Sequence, residues 1–456
     1  MGEAANISLK AIGKQDTHLL SKDPEDSLFK YKVNQHTNFS KQYKVRNISA
    51  KNVQNWPFGQ TIRVQYNPQH MDDFLSNMWI KLKLPKTSDI NLWYASQIGR
   101  HLIKNVEMYV DELLIEKIDD VWCVMNDLLY DDMGENIANR YLLNQNLESY
   151  YPKPSELKTA SYYSDVDITC PLPFFFCGKH GTRNYKENDS KRSYFPVCGI
   201  HKQKITFEIT FHEQTFFTNM SDTITLDSFD IITEEIKVSA DEHNFITSEN
   251  YIMTVQKVIK HPEEVSEIND NKIQLNLVPS IPVSCFHWVL RNTKFENEQD
   301  AIGPGTPSDR EYLFMNRYNF TRNNYGVTLV YSHLGLKKNI RDGDDILQSA
   351  KFYLNEQQLP NVSSNDNIFF KYYVPFRHRI SYPANLSTIY SYSFALHPKS
   401  SQPSGTLDFL GLNSDKTKLE IEIAPDLVTN SQYRLLLYYK GYETFVIKNG
   451  FITKKY

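Results

Sequence analysis

From Ser391 to Phe409 the chain reads SYSFALHPKSSQPSGTLDF, which joins a strand-like run, a stiff turn and a second apolar start. Tyr392, Phe394 and Leu396 alternate with Ser391, Ser393 and Ala395 at the two-residue period of a strand with one buried face. Gln402-Pro403-Ser404-Gly405 then closes the run, because proline presets φ at about −65° and glycine tolerates positive φ. Thr406 completes the turn and leads into Leu407. No group in this stretch is arranged for catalysis, so it constrains architecture rather than chemistry.

Composition agrees with a sheet protein. Of 456 residues, 13% are aromatic, with 29 Tyr and 26 Phe, which favours strands packed in sandwiches over a helical bundle. The length accommodates two large all-β units of roughly 200–250 residues each. A net charge of −4 leaves no global basic field, so no direct wrapping of nucleic acid is expected. Five cysteines, at 123, 170, 177, 198 and 285, form no dense framework and read as thiols in a reducing compartment. The first residues lack an apolar signal core, and no run approaches the ~18 apolar residues of a membrane helix. Met1-Gly2 is followed by Asn6 where a myristoylation pattern needs Ser or Thr. The Asn-x-Ser/Thr tripeptides at Asn38, Asn47, Asn188, Asn319, Asn361 and Asn385 predict no glycan without a secretory route.

A weak internal repeat divides the chain. Lys104–Leu114 (KNVEMYVDELL) reads onto Gln348–Gln358 (QSAKFYLNEQQ), and Lys202–Phe211 (KQKITFEITF) onto Lys416–Pro425 (KTKLEIEIAP), in the same order. Ile205, Phe207, Ile209 and Phe211 form one face of such a strand, and Leu419, Ile421 and Ile423 repeat it. The expected division is an arm at 1–27, a first unit at 28–220 and a second at 221–456, with the seam in the polar stretch Thr218–Asp222. Residues 182–193 and 292–326 read as long functional loops. One short helix is expected where Asp119-Asp120 caps Val121, Trp122, Met125, Leu128 and Leu129.

Chemical constellations are few. Cys177-Gly178-Lys179-His180 and Cys198-Gly199-Ile200-His201 have a spacing that suits zinc, but a buried thiol beside a strand-end histidine accounts for each pair, and no metal is assigned. Asp119-Asp120, Asp131-Asp132 and Asp342, Asp344, Asp345 lack the ligand spacing of a calcium loop. Ser404 lies between Pro403 and Gly405 rather than in a nucleophile elbow. Neither a Walker motif nor a dinucleotide fingerprint is present, so no nucleotide cofactor is expected. Tyr43-Lys44-Val45-Arg46 reads as alternation on a solvated strand rather than a nucleic-acid surface.

The words YSFAL and QPSGT resemble the signature of the major capsid proteins of nucleocytoplasmic large DNA viruses. The resemblance continues through Ala11–Asp16, Ser27–Tyr31 and His36–Ser40, then Asp72–Pro85 (DDFLSNMWIKLKLP), Ile98–Lys104, Val106-Glu107, Pro171–Phe176, His201 and Ile205–Phe211. It departs at Phe409-Leu410-Gly411-Leu412-Asn413, where the family commonly writes Phe-Ser-Arg-Ile-Asp. The resemblance implies an all-β fold of two consecutive eight-stranded antiparallel jelly-roll sandwiches with long loops and a minor helix. It further implies a non-enzymatic homotrimer, a pseudo-hexagonal capsomer that tiles an icosahedral virion shell assembled in the host cytoplasm. Its expected partners are neighbouring capsomers and minor capsid proteins, near an internal viral membrane. The alternatives are a double jelly-roll assembly scaffold, a diverged minor capsid paralogue, and a jelly-roll carbohydrate-binding protein.

Overall fold

The structure is a computed structural model. It describes residues 13–15 and, between 39 and 455, all but 51–52, 89–91, 93, 96, 132–137, 140, 144–164, 178–193, 219, 249, 263–270, 293–316, 319, 321–344, 361–364, 379, 381–387 and 425–432. The expected N-terminal arm apart from Gly13–Gln15, together with His180, Asp132, Asp342, Asp344, most of both long loops and the sequons other than Asn47, lies outside the described residues.

The first half forms β1 (Phe39–Ser49), β2 (Thr61–Tyr66), β3 (Phe74–Leu84), β4 (Ile103–Val110), β5 (Leu113–Asp119), β6 (Val166–Pro171), β7 (Phe195–Pro196), β8 (Ile205–Phe211) and β9 (Ser228–Val238). The second forms β10 (Tyr251–Lys260), β11 (Lys272–Asn276), β12 (Val283–Asn292), β13 (Leu347–Leu354), β14 (Gln357–Leu359), β15 (Tyr390–Ser393), β16 (Lys418–Ile423), β17 (Tyr433–Lys448) and β18 (Phe451–Lys454). Helix α1 (Asp120–Tyr130) follows β5, and α2 (Ala240–Ser248) joins the halves. After β14 a π-helical turn, Phe369–Tyr373, continues as α3 (Val374–His378).

The strands pair antiparallel in four sheets. Their orders are β1-β9-β3-β6 and β2-β8-β4-β5 in the first unit, and β10-β17-β12-β15 and β11-β16-β13-β14 in the second, with β7 and β18 as short additions. Setting the additions aside, the two orders are the same jelly-roll order written twice. Both repeated words fall on equivalent strands, Lys104–Leu114 on β4 against Gln348–Gln358 on β13, and Lys202–Phe211 on β8 against Lys416–Pro425 on β16. The hairpin turns after β4 and β13 are equivalent too. Asp111 and Asn355 both take positive φ, and the backbone N–H groups of Asp111 and Glu356 donate to Lys204 and Lys416, each at 2.9 Å.

The seam expected at residue 220 needs correction. β9 begins after that point, yet it pairs with β1 and β3 across nearly its whole length, so the chain leaves the first pair of sheets only after Val238. Polarity misplaced the seam because Thr218–Asp222 is a crossing between the two sheets of one sandwich.

The expected inward faces are buried. Ile205, Phe207, Ile209 and Phe211, like Leu419, Ile421 and Ile423, are at most 1% exposed. The helix is also where its cap places it: the Asp119 carboxylate accepts the Trp122 N–H at 2.8 Å.

Candidate functional site at the seam between the units

The 16-residue strand β17 is buried along nearly its full length on both faces. Tyr433, Leu435, Leu437 and Tyr439 point into the second sandwich. Leu436, Tyr438, Phe445 and Ile447 point the other way and share a core with the first unit. A sheet covered on both sides needs apolar residues without polar alternation, which is what Leu435–Tyr439 supplies.

The contact is an edge against a face. Edge strand β5 and helix α1 of the first unit lie on the outer face of the β10-β17-β12-β15 sheet. Trp122 packs on Tyr438 with ring centroids 5.6 Å apart and on His287 at 6.1 Å. Three polar groups are enclosed along this contact.

In the first, Asp119 accepts from the Tyr438 hydroxyl at 2.7 Å, and Asp120 accepts from Tyr318 at 2.9 Å and lies 3.0 Å from His212 Nε2. Burial disfavours the Asp120 charge, but the bonds from His212 and Tyr318 and the Arg291 charge outweigh it and hold the carboxyl well below its ordinary range. Its neighbour Asp119 is pushed up, by burial first and then by the Asp120 charge. Tyr318 belongs to the segment after β12 and reaches into the first unit. Beside it Arg317 is fully buried, donating to the carbonyls of Phe216 and Thr215 at 3.1 Å each.

In the second, His287 is enclosed between Tyr130 of α1, whose hydroxyl lies 2.7 Å from Nε2, and Ser391, whose Oγ lies 2.7 Å from Nδ1. Cys285 Sγ is 3.3 Å from the same Nε2. Burial, helped by Lys440, drives the His287 pKa down to about 3, so the ring is neutral and one nitrogen donates while the other accepts. Lys440 Nζ sits 3.9 Å above the Tyr130 ring, and burial lowers its pKa to about 8. A serine and a histidine at this distance suit nucleophilic catalysis only where substrate reaches them. Both are 0% exposed here, and together with Tyr130 they tie α1 to β12 and β15.

In the third, Glu116 accepts from Phe175 N at 2.8 Å and, across the seam, from Val258 N at 3.5 Å. Burial raises its pKa to about 7. Lys257, ion-paired with Glu443, donates to the Ile115 carbonyl at 3.1 Å.

The signature turn rests on this sheet. The N–H groups of Phe394 and Ala395 both donate to the Ser284 carbonyl, at 2.8 and 3.1 Å, which bends the chain out of the ladder after Ser393. Leu396 N then donates to Ser404 O at 3.1 Å and His397 N to Ser404 Oγ at 2.9 Å, closing the loop. Gly405 has φ of +141°, and a Cβ there would stand 2.7 Å from the Phe394 carbonyl oxygen. Tyr442 donates to the Gln402 carbonyl at 3.2 Å, anchoring Pro403 and its neighbours to β17. Thr406 leads into Leu407, which exchanges two 2.9 Å backbone bonds with Val283.

Residues 27–240 match the family profile described as major capsid protein N-terminus, and residues 242–452 match that of the large eukaryotic DNA virus major capsid protein. The chain belongs to the major capsid proteins of large eukaryotic DNA viruses. The probable capsid protein 4 of Acanthamoeba polyphaga mimivirus is 21% identical, with 96% of each chain covered. Among solved structures, PBCV-1 VP54 matches with a TM-score of 0.67 at 17% identity, covering 94% of this chain and 100% of that one. The Faustovirus major capsid protein matches at 0.61 and 10% identity, with 98% of each chain covered. Both are likenesses of fold, and the junction at 240–242 between the two profiles agrees with the corrected seam.

In this capsid protein the other candidate residues hold structure together. Ser404 is the turn-closing acceptor described above. Asp345 pairs with Lys371 at 2.7 Å and accepts from Asn367 at 2.9 Å. Asp131 accepts from Asn139 at 3.2 Å. Lys44 is 2.7 Å from Glu235 and 3.4 Å from Asp72, so its charge is countered within the fold. The two Cys-x-x-His pairs do not assemble among the described residues. Cys198 instead lies with Asp73 and His243, while His201 lies against the turn at Gly450. All five cysteines are free thiols. Among the described residues no helix is long and apolar enough to cross a membrane.

Sequence reasoning missed Arg317 and Tyr318, which sit in a polar loop and carry no periodicity. It also read Ser391 as solvated. Ser391 is buried because its strand has a second covered face, the one against the first unit.

Proposed function

We propose that this chain is the shell subunit of a virion, three copies of which close into a pseudo-hexagonal capsomer that tiles an icosahedral capsid. The observation that carries this reading is the edge-on-face contact between two sandwiches of identical strand order. Such a contact is heterologous, and a heterologous contact that repeats with a closing rotation makes a ring. Each subunit retains the two halves of a further such contact. The outer face of the β1-β9-β3-β6 sheet, equivalent to the covered face of the second unit, carries Phe39, Tyr43 and Val45, which are 55–63% exposed. The helical stretch after β14, equivalent in place to α1, carries Ile368, Tyr373 and Phe376 at 55–82% exposed. Joining the helix of one copy to the sheet of the next repeats the internal contact and places six sandwiches around a threefold axis.

In this reading the protein acts by folding and assembling, without turnover, in virions built in the host cytoplasm. The shifted titratable groups of the seam support that, since they are enclosed by the two units. Neighbouring capsomers and minor capsid proteins are the partners proposed, with the signature turn Gln402–Thr406 as a rigid element of the second sandwich. Light scattering with negative-stain imaging of the purified full chain tests it. A trimer of hexagonal outline is expected, and a stable monomer or a twofold dimer overturns it.

A further inference from the structure

Asp73 precedes β3, Cys198 lies between β7 and β8, and His243 is in α2, yet one ligand atom of each falls within 4.8 Å of the others. The three residues are distant in sequence and differ in donor type. Asp73 Oδ2 is occupied by the Val238 N–H at 2.9 Å, which leaves Oδ1 directed at His243 Nδ1, 2.7 Å away. The same geometry is that of a carboxylate holding a histidine in place, so a second observation is needed. Glu242 supplies it. Its Oε2 is buried and has no hydrogen-bond partner, and its charge acts on Cys198 and on Tyr251 of β10. A buried carboxylate oxygen without a partner, on the residue before His243 and with its charge acting on Cys198, is unfavourable without a cation.

From these positions we infer that Asp73, Cys198 and His243 form a binding site for a divalent transition metal, zinc in the first instance, with a water as fourth ligand and Glu242 as a nearby counter-charge. Sulfur, nitrogen and oxygen together suit zinc over calcium or magnesium. Tetrahedral zinc at ordinary bond lengths separates its ligands by about 3.3–3.8 Å. The site therefore closes with small rotations, the Asp73–His243 pair parting by about 0.6 Å as two bonds to the ion replace one hydrogen bond. Cys198 loses its thiol proton to solvent on binding, so uptake strengthens as pH rises. The His243 side chain is 43% exposed, which gives the ion a route in.

The consequence is mechanical. The ion would pin the start of β3, the β7–β8 connection and α2, the helix in the connection between β9 and β10. α2 is already tightly seated there, since a Cβ at Gly199 would stand 3.3 Å from Ile246 of α2 and 2.7 Å from Ile447 of β17.

The test uses the full chain with its affinity tag removed, stripped by chelator and titrated with Zn²⁺ and Co²⁺. One equivalent is expected to bind, with a thiolate-to-cobalt absorption band lost in Cys198→Ser and binding weakened at least about tenfold in His243→Ala. Cys177→Ser and His201→Ala should bind as the parent does. In the unsubstituted protein, zinc should also protect Cys198 from alkylation read by peptide mass spectrometry, a measurement that needs no variant. Failure of the folded protein to take up an equivalent, uptake that survives Cys198→Ser, uptake lost in Cys177→Ser, or alkylation of Cys198 unaffected by zinc each overturns the assignment.

Discussion

Gly405 is the residue on which the signature turn depends most directly. Its φ of +141° lies where side chains are strained, and the Phe394 carbonyl occupies the space a Cβ would need. Gly405→Ala is therefore expected to cost roughly 2 kcal/mol or more, read as a lowered denaturation midpoint. Ser404→Ala, which removes only the acceptor for His397 N, should cost about 1 kcal/mol. Glu116 makes a prediction of opposite kind, because its proton is held too long. The folded state keeps it to a pH of about 7, whereas the unfolded chain releases it near 4.5. Over that window the native state binds more protons, so this group lowers stability as pH rises, by on the order of 3 kcal/mol in all. Urea unfolding at stepped pH should show that fall in the parent and a flatter curve in Glu116→Gln. An unchanged slope would mean that Glu116 ionises normally.

At the scale of elements, α1 belongs to the first unit and carries packing between the two units. Its cap, Asp119, also receives the Tyr438 hydroxyl, and its Trp122 lies on the second sheet. Trp122→Ala should cost about 3–5 kcal/mol, near the top of what one core deletion does, because it opens the core that the two units share. Calorimetry that gave a loss below about 1 kcal/mol would place α1 outside the shared core. This helix was legible in the chain: an acidic cap followed by apolar residues at helical spacing. So were β4, β8, β13 and β16, since strict alternation records one wet and one dry face. What alternation cannot record is a strand dry on both sides. Ser391 looked solvated for that reason, and the end of the Tyr390–Ser393 strand was hidden because a backbone carbonyl, Ser284, ends it. The Asp73, Cys198 and His243 cluster was equally illegible, since only the fold makes those three residues neighbours.

For the whole molecule, the shared core predicts that the two sandwiches unfold together in one transition. Residues 250–456 alone would expose Leu436, Tyr438, Phe445 and Ile447, and should aggregate on expression. Two separate calorimetric transitions would contradict this. The proposed ring gives a second expectation: Val45→Asp and Phe376→Asp change exposed side chains and should leave the fold intact while converting trimer to monomer. The linker helix α2 then has a kinetic meaning. Were the sandwiches separate chains, every joint around the ring would wait on a collision. With the two tethered by so short a connection, alternate joints form at an effective local concentration in the millimolar range, whatever the dilution of the chain. In the proposed ring only the remaining joints would depend on how much protein the cell has made, so its closure would be a low-order reaction that can proceed while subunits are still scarce.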